Sequence, residues 1–182
     1  MVWNTPKTFT ADSGAPSAAD LNMFLRDNLL ETEAAKASEA GQLLVTAGKN
    51  LIGMYKPVSS TVANTNATSS TTPVNLAGGP SVTVTHSGAM LVLFSARGWI
   101  SAGGTGPSNI IRCGPSVDGE SGAQALMGRA IYFTTNAYCR YAGHVLHYNL
   151  TPGTSTVRLQ YWTNGGGITG SFAQRNLTVI PL

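Results

Sequence analysis

Hydrophobic and polar positions alternate most cleanly over Ser155–Thr163, where Val157, Leu159 and Tyr161 fall on one side and Thr156, Arg158 and Gln160 on the other. A period of two marks a strand with one buried face. Tyr138–Asn149 precedes it, and Thr151-Pro152-Gly153 lies between. Proline sets φ for the first corner of a turn and glycine accepts a positive φ at the second, so the pattern predicts a long antiparallel hairpin over residues 138–163. A hairpin cannot bury its own apolar face. The remaining chain must supply a partner sheet.

Further strands are predicted at Ser81–Thr85, Ala89–Ala96, Asn109–Val117, Ala125–Thr134 and Arg175–Ile180, with Leu51–Tyr55 as a short early one. Turn signals separate them: Ser87-Gly88, Gly103-Gly104, Asp118-Gly119, Asn136 and Gly165-Gly166-Gly167. Many short strands at this spacing predict a mainly β chain, an antiparallel β-sandwich of the jelly-roll kind. Ala89–Ala96 is apolar on both faces, with Met90, Val92 and Phe94 on one and Leu91 and Leu93 on the other. The second face needs a cover, either the 50–80 segment or a neighbouring subunit. Closed symmetric assembly favours the subunit, which makes Leu91 and Leu93 interface candidates.

The N-terminal region has a different period. Residues 1–16 read as an arm with Trp3 and Phe9 as apolar anchors, and Ser17 and Asp20 open a single α-helix as cap and first-turn acid. Leu21, Phe24, Leu25 and Leu29 follow at helical spacing, and Gly41 or Gly48 ends the helix. So narrow an apolar stripe needs a partner: this chain's own β-domain, another subunit or another protein. The chain thus divides into an arm and helix (1–50, attachment and oligomerisation), a polar linker or edge strand (51–74) and a sandwich head (75–182).

Charge sharpens that division. Residues 1–56 carry five basic and six acidic side chains, whereas residues 57–182 carry six arginines, two acids and no lysine. Scattered arginines without lysine do not form a nucleic-acid stripe. No apolar run reaches membrane-spanning length. The N-terminus has no apolar signal core, and Cys113 and Cys139 are expected as free thiols of a chain made in a reducing cytosol, with a disulfide as the alternative.

Trp3, Thr5-Pro6-Lys7-Thr8-Phe9, Leu21-Asn22 and Leu25-Arg26-Asp27-Asn28-Leu29 together resemble the N-terminal signature of small virion proteins of tailed bacteriophages, above all minor tail or fibre-like proteins of phages infecting actinobacteria. The likeness covers roughly the first thirty residues, and departs from the usual pattern at Lys7 and Gly14-Ala15. The Leu150-Thr151-Pro152-Gly153 turn and the closing Arg175–Val179 run resemble trimeric jelly-roll heads of phage fibres and C1q/TNF-like modules. These resemblances imply a homotrimer located in the virion, assembled in the host cytoplasm. Its partners would be other virion proteins, either tail or major capsid protein.

Candidate chemistry is sparse. The head's acids, Asp118 and Glu120, share one Gly-rich turn, whereas glycan cleavage needs carboxylates set across a cleft. His144 and His147 are three apart on a strand and so face opposite ways. No catalytic, cofactor or metal site is expected. Trp99 and Trp162, with Arg140 and Arg158, are the candidates for recognising a host cell-surface glycan. The expected function is therefore a minor tail protein or short trimeric fibre contacting the host. The alternative is a capsid decoration or head-fibre protein binding the major capsid protein lattice. A cell-wall glycan hydrolase ranks third.

Overall fold

The computed structural model describes residues 39–48, 51–103, 109–118 and 129–182. Trp3, Phe9, Leu21, Phe24, Leu25 and Leu29, and the arm and most of the helix assigned to them, lie outside these residues, as does Glu120; a helix reaching Gly48 is excluded, because Leu43–Gly48 is a strand. The described chain is all strand and turn. β1 (Leu43–Gly48) and β2 (Leu51–Tyr55) pair antiparallel as a two-stranded unit. An exposed Lys56–Glu39 ion pair, 2.7 Å long, lies beside its open end.

Ten strands follow: β3 (Val58–Val62), β4 (Asn66–Thr68), β5 (Val74–Asn75), β6 (Ser81–His86), β7 (Met90–Ala102), β8 (Ile111–Val117), β9 (Ile131–Phe133), β10 (Cys139–His147), β11 (Gly153–Thr163) and β12 (Thr169–Pro181). One sheet runs β3-β12-β7-β10 and the other β6-β11-β8-β9, with β4 extending the line of β3 along β12 and β5 that of β6 along β11. The pairings β3–β12, β6–β11, β7–β10 and β8–β9 are nested one inside the next. That nesting is the jelly roll.

Alternation positions the core. Met90, Val92, Phe94 and Ala96 of β7 and Leu177 and Val179 of β12 face Val82 and Val84 of β6, Val157, Leu159 and Tyr161 of β11, and Ile111 and Cys113 of β8. Rings from both sheets meet at its centre, with Phe172 4.8 Å from Tyr161 and 6.0 Å from Phe133. β7 continues six residues beyond its predicted end because Gly98 is no terminator. A Cβ there would stand 2.9 Å from the Phe133 ring, which occupies the space instead. The thiols of Cys113, buried in β8, and Cys139, half-buried in β10, are free.

The predicted 138–163 hairpin is not formed. β10 pairs with β7 and β11 with β6 and β8, so residues 148–152 cross between sheets. They run beside the β6–β7 crossover, where Leu150 N–H donates to Gly88 O at 2.9 Å. A side chain at Gly88 (φ 128°) would press against the Leu150 carbonyl. Asn149 (φ 59°), within the crossing, and Gly153 (φ 153°), at its end, both take positive φ.

His86 fastens the two crossovers. Gly88 N–H donates to its Nδ1 (3.2 Å), so Nε2 carries the proton and meets Ser155 Oγ at 3.0 Å. The ring therefore cannot take a proton from Ser155, and burial holds its pKa below the usual histidine range. A pKa lowered by folding means that the unfolded chain binds the extra proton more readily. The resulting stability is present above pH 6.5 and is lost as pH falls from there through the depressed folded value. Urea midpoints should fall between pH 7.5 and 5.5, and His86→Gln should flatten that slope; an unchanged slope would remove His86 as its source.

Arg175, at the start of the predicted Arg175–Ile180 strand, is buried despite its charge. A bulge between Ala173 and Asn176, with Gln174 at φ 46°, turns it inward on the same side as Leu177 and leaves it with no exposed surface. Its Nη1 donates to Gly79 O (2.9 Å), and its Nη2 to Asn66 Oδ1 (2.5 Å) and, at 3.4 Å, to Asn64 O and Ala77 O. The guanidinium also lies 5.6 Å from the Tyr161 ring centre, and only Nε finds no acceptor. The arginine thus ties the loops after β3 and β5 to β12.

Candidate recognition surface

The outer face of the β3-β12-β7-β10 sheet is built by the other half of each alternation. Along β7 it carries Leu91, Leu93, Ser95, Arg97 and Trp99. Register sets Leu146, His144, Ala142 and Arg140 of β10 opposite the first four, and Ile180, Thr178 and Asn176 of β12 opposite the first three. Residues directly opposed on neighbouring strands share a face. The 50–80 segment does not cover this face. Its strand β3 joins the sheet in plane at the edge, and Leu93 stays 39% exposed. His144 lies on this face and His147 is buried on the other, as their spacing requires.

One end of the face is apolar, with Leu93 and Leu146 exposed and Leu91 and Ile180 half-buried. The other end is cationic and aromatic. Arg140 stands opposite Arg97, the Arg97 guanidinium lies 4.4 Å over the Tyr138 ring, and Tyr138 packs edge-on against Trp99 at 4.5 Å. Between the ends lies a shallow hollow of about 390 Å³ lined by Leu93, Phe94, Ser95, Ala142, Gly143, His144, Asn176 and Thr178. Ser95 Oγ accepts from Asn176 Nδ2 (3.1 Å) and Arg140 Nη2 (3.5 Å), which fixes the polar side of the hollow.

Of the four residues expected to recognise a ligand, Trp99 and Arg140 come together here; Trp162 and Arg158 belong to the opposite sheet. Trp162 is only 1% exposed, because both faces of β11 are covered at its end, where Thr163 is also buried. It is withdrawn as a surface residue. Arg158 is partly exposed but closes on Asp118, which also accepts from Thr156 N–H at 3.2 Å. That ion pair, helped by the Thr156 bond, holds the Asp118 carboxyl below the usual carboxylate range. It staples the end of β8 to β11. Arg97 and Tyr138 complete the cluster, and only register shows that they join it.

Among the described residues, no group of three or more His, Cys, Asp or Glu side chains comes together to hold a metal. Their only side-chain carboxylates are Glu39 and Asp118, each in the ion pair already described. What the surface offers is guanidinium donors, aromatic rings and an open apolar patch. It can bind anions, rings or another apolar surface.

No family model matches the chain, and no curated protein matches it. Solved structures to which it is similar include infectious bursal disease virus, Gt strain (TM-score 0.38, 11% identity, 74% of this chain and 35% of that one). Another is the CBM36-1 domain of a multidomain xylanase from the hindgut metagenome of Trinervitermes trinervoides (TM-score 0.37, 13% identity, 69% and 98%). A third is Eiger TNF from S. frugiperda (TM-score 0.38, 8% identity, 69% and 92%). The chain spans about a third of the length of the first of these. All three are distant.

Proposed function

We propose that this protein is a non-enzymatic structural component of a tailed-phage virion, a minor tail protein or short trimeric fibre whose jelly roll contacts the host surface. The observation that carries this reading is the outer sheet face left open among the described residues, apolar at one end and cationic-aromatic at the other. The N-terminal residues that resemble phage virion proteins provide the attachment segment. The apolar end, with Leu91 and Leu93, joins the subunits about a three-fold axis, and the other end remains outward. The ion-paired state of Asp118 supports binding over hydrolysis, because general acid–base cleavage of a glycan needs two carboxylates free to exchange protons.

A second reading, a decoration protein on the capsid lattice, is favoured by one feature. Only the short strands β1 and β2 separate residue 42 from the first strand of the head. Copy number in purified virions, measured by quantitative mass spectrometry against the major capsid protein, decides between the two. A few copies in a multiple of three are expected. A count in simple ratio to the capsid lattice would move the protein to the head, and its absence from virions would end both readings.

A further inference from the structure

We propose that Arg97, Arg140, Trp99 and Tyr138 form a binding site for an anionic sugar polymer, with the carboxylates or phosphates of the polymer held by the two guanidiniums. This deepens the host-contact reading and rests on it for biological meaning, although the site itself stands on geometry. Arg97 and Arg140 are directly opposed on β7 and β10. Like charges so placed, with Cβ atoms about 5 Å apart, repel, and the two side chains lean apart, Arg97 toward Tyr138 and Arg140 toward Ser95, leaving both cations open to an anion. No carboxylate of the described chain provides one, since Glu39 and Asp118 are paired with Lys56 and Arg158.

Both guanidiniums are partly positioned before any ligand arrives. Arg97 is stacked on Tyr138, and Arg140 reaches Ser95 Oγ. Planar forks held in this way suit two-oxygen recognition of a carboxylate or phosphate, and holding them in advance lowers the entropy lost on binding. The rings select for sugar. Tyr138 is 63% exposed and Trp99 half-buried beside it, an amphipathic ledge for the apolar face of a pyranose next to the charge. The neighbouring hollow adds Ser95, Asn176 and His144 as partners for hydroxyls. Two arginines side by side make a point site rather than the extended basic track that a nucleic-acid strand requires.

The test measures binding of the full-length protein by calorimetry at 50 and 200 mM salt. The probes are polygalacturonate (carboxylate), poly(glycerol phosphate) carrying glucose (phosphate), dextran, inorganic polyphosphate and oligo-dT. Expected is binding to one or both anionic glycans and none to dextran; which of the two binds identifies the source of the charge. Arg97→Gln and Arg140→Gln should each weaken that binding at least tenfold. Trp99→Ala should weaken glycan binding while leaving any residual polyphosphate binding unchanged. Circular dichroism checks that each variant is folded, and Arg140→Gln, at an exposed position, serves if another is not. Binding that survives both arginine changes, equal binding to dextran, tighter binding to oligo-dT or polyphosphate, or no binding to either anionic glycan would each overturn the proposal. Copy number in virions is independent of all these outcomes, so failure of the site and failure of the virion reading are told apart.

Discussion

Replacing Arg175 with alanine is expected to lower the unfolding free energy by at least about 1.5–3 kcal/mol, the range for losing one hydrogen bond to a charged group. The change leaves Gly79 O, Asn64 O and Ala77 O and the Asn66 side chain without their donor. Each acceptor orphaned away from water costs about 1–3 kcal/mol, moderated where the loops relax or admit solvent. Arg175→Lys should fall between wild type and alanine. An ammonium keeps the charge, but from one point it cannot reach both the residue 64–66 and the residue 77–79 loops as a fork does. Urea unfolding monitored by fluorescence measures both variants. A loss below about 1 kcal/mol for the alanine variant, against the mutational range above, would mean that the two loops hold their places without the arginine.

Leu93→Glu is expected to convert the proposed trimer to monomer while leaving the fold intact. The two effects separate because Leu93 points away from the core and is 39% exposed in the single chain. Its urea midpoint should therefore stay close to wild type. In the proposed trimer the same position is covered in every subunit. Burying a leucine there contributes about 1.5–3 kcal/mol, and a desolvated carboxylate costs several kcal/mol more, in each of the three copies. Leu146→Glu, on the neighbouring strand, should behave alike. Light scattering on the eluting protein gives the mass directly. A variant that remains trimeric would place the subunit contact elsewhere, and a wild-type monomer would remove the trimer from the proposal.

What alternation alone decides was legible. Val82 and Val84 against Thr83 and Thr85, the two apolar faces of β7, and Val157, Leu159 and Tyr161 lie where a period of two places them. Pairing partners were not legible, because neighbouring strands in sequence need not be neighbours in a sheet. The 138–163 hairpin failed for that reason, and a nested jelly roll leaves only β8 and β9 as a consecutive pair. Arg175 could have been read from its step of two to Leu177 and Val179; its charge argued for solvent, and the loop acceptors that satisfy it lie about a hundred residues away in the chain. Arg97, Arg140, Trp99 and Tyr138 form a cluster only once β10 is laid on β7 in register, so sequence offered Trp99 and Arg140 as isolated candidates. Trp162 falls on the polar side of its strand's alternation, yet that side too is covered at the end of β11.

The nested pairing also sets a schedule for folding. β3 leaves the ribosome before the rest of the roll, yet the strand that completes its sheet, β12, ends at Pro181. Closing so long a loop is entropically dear, and contacts of such wide sequence separation make folding slow. The cheapest closure is the innermost, β8 on β9, and the roll can then zip outwards through β7–β10 and β6–β11. Throughout synthesis β3 therefore stays an unpaired edge, and its Val58-Ser59-Ser60-Thr61-Val62 composition, short and hydroxyl-rich, suits a strand that must wait in water without aggregating.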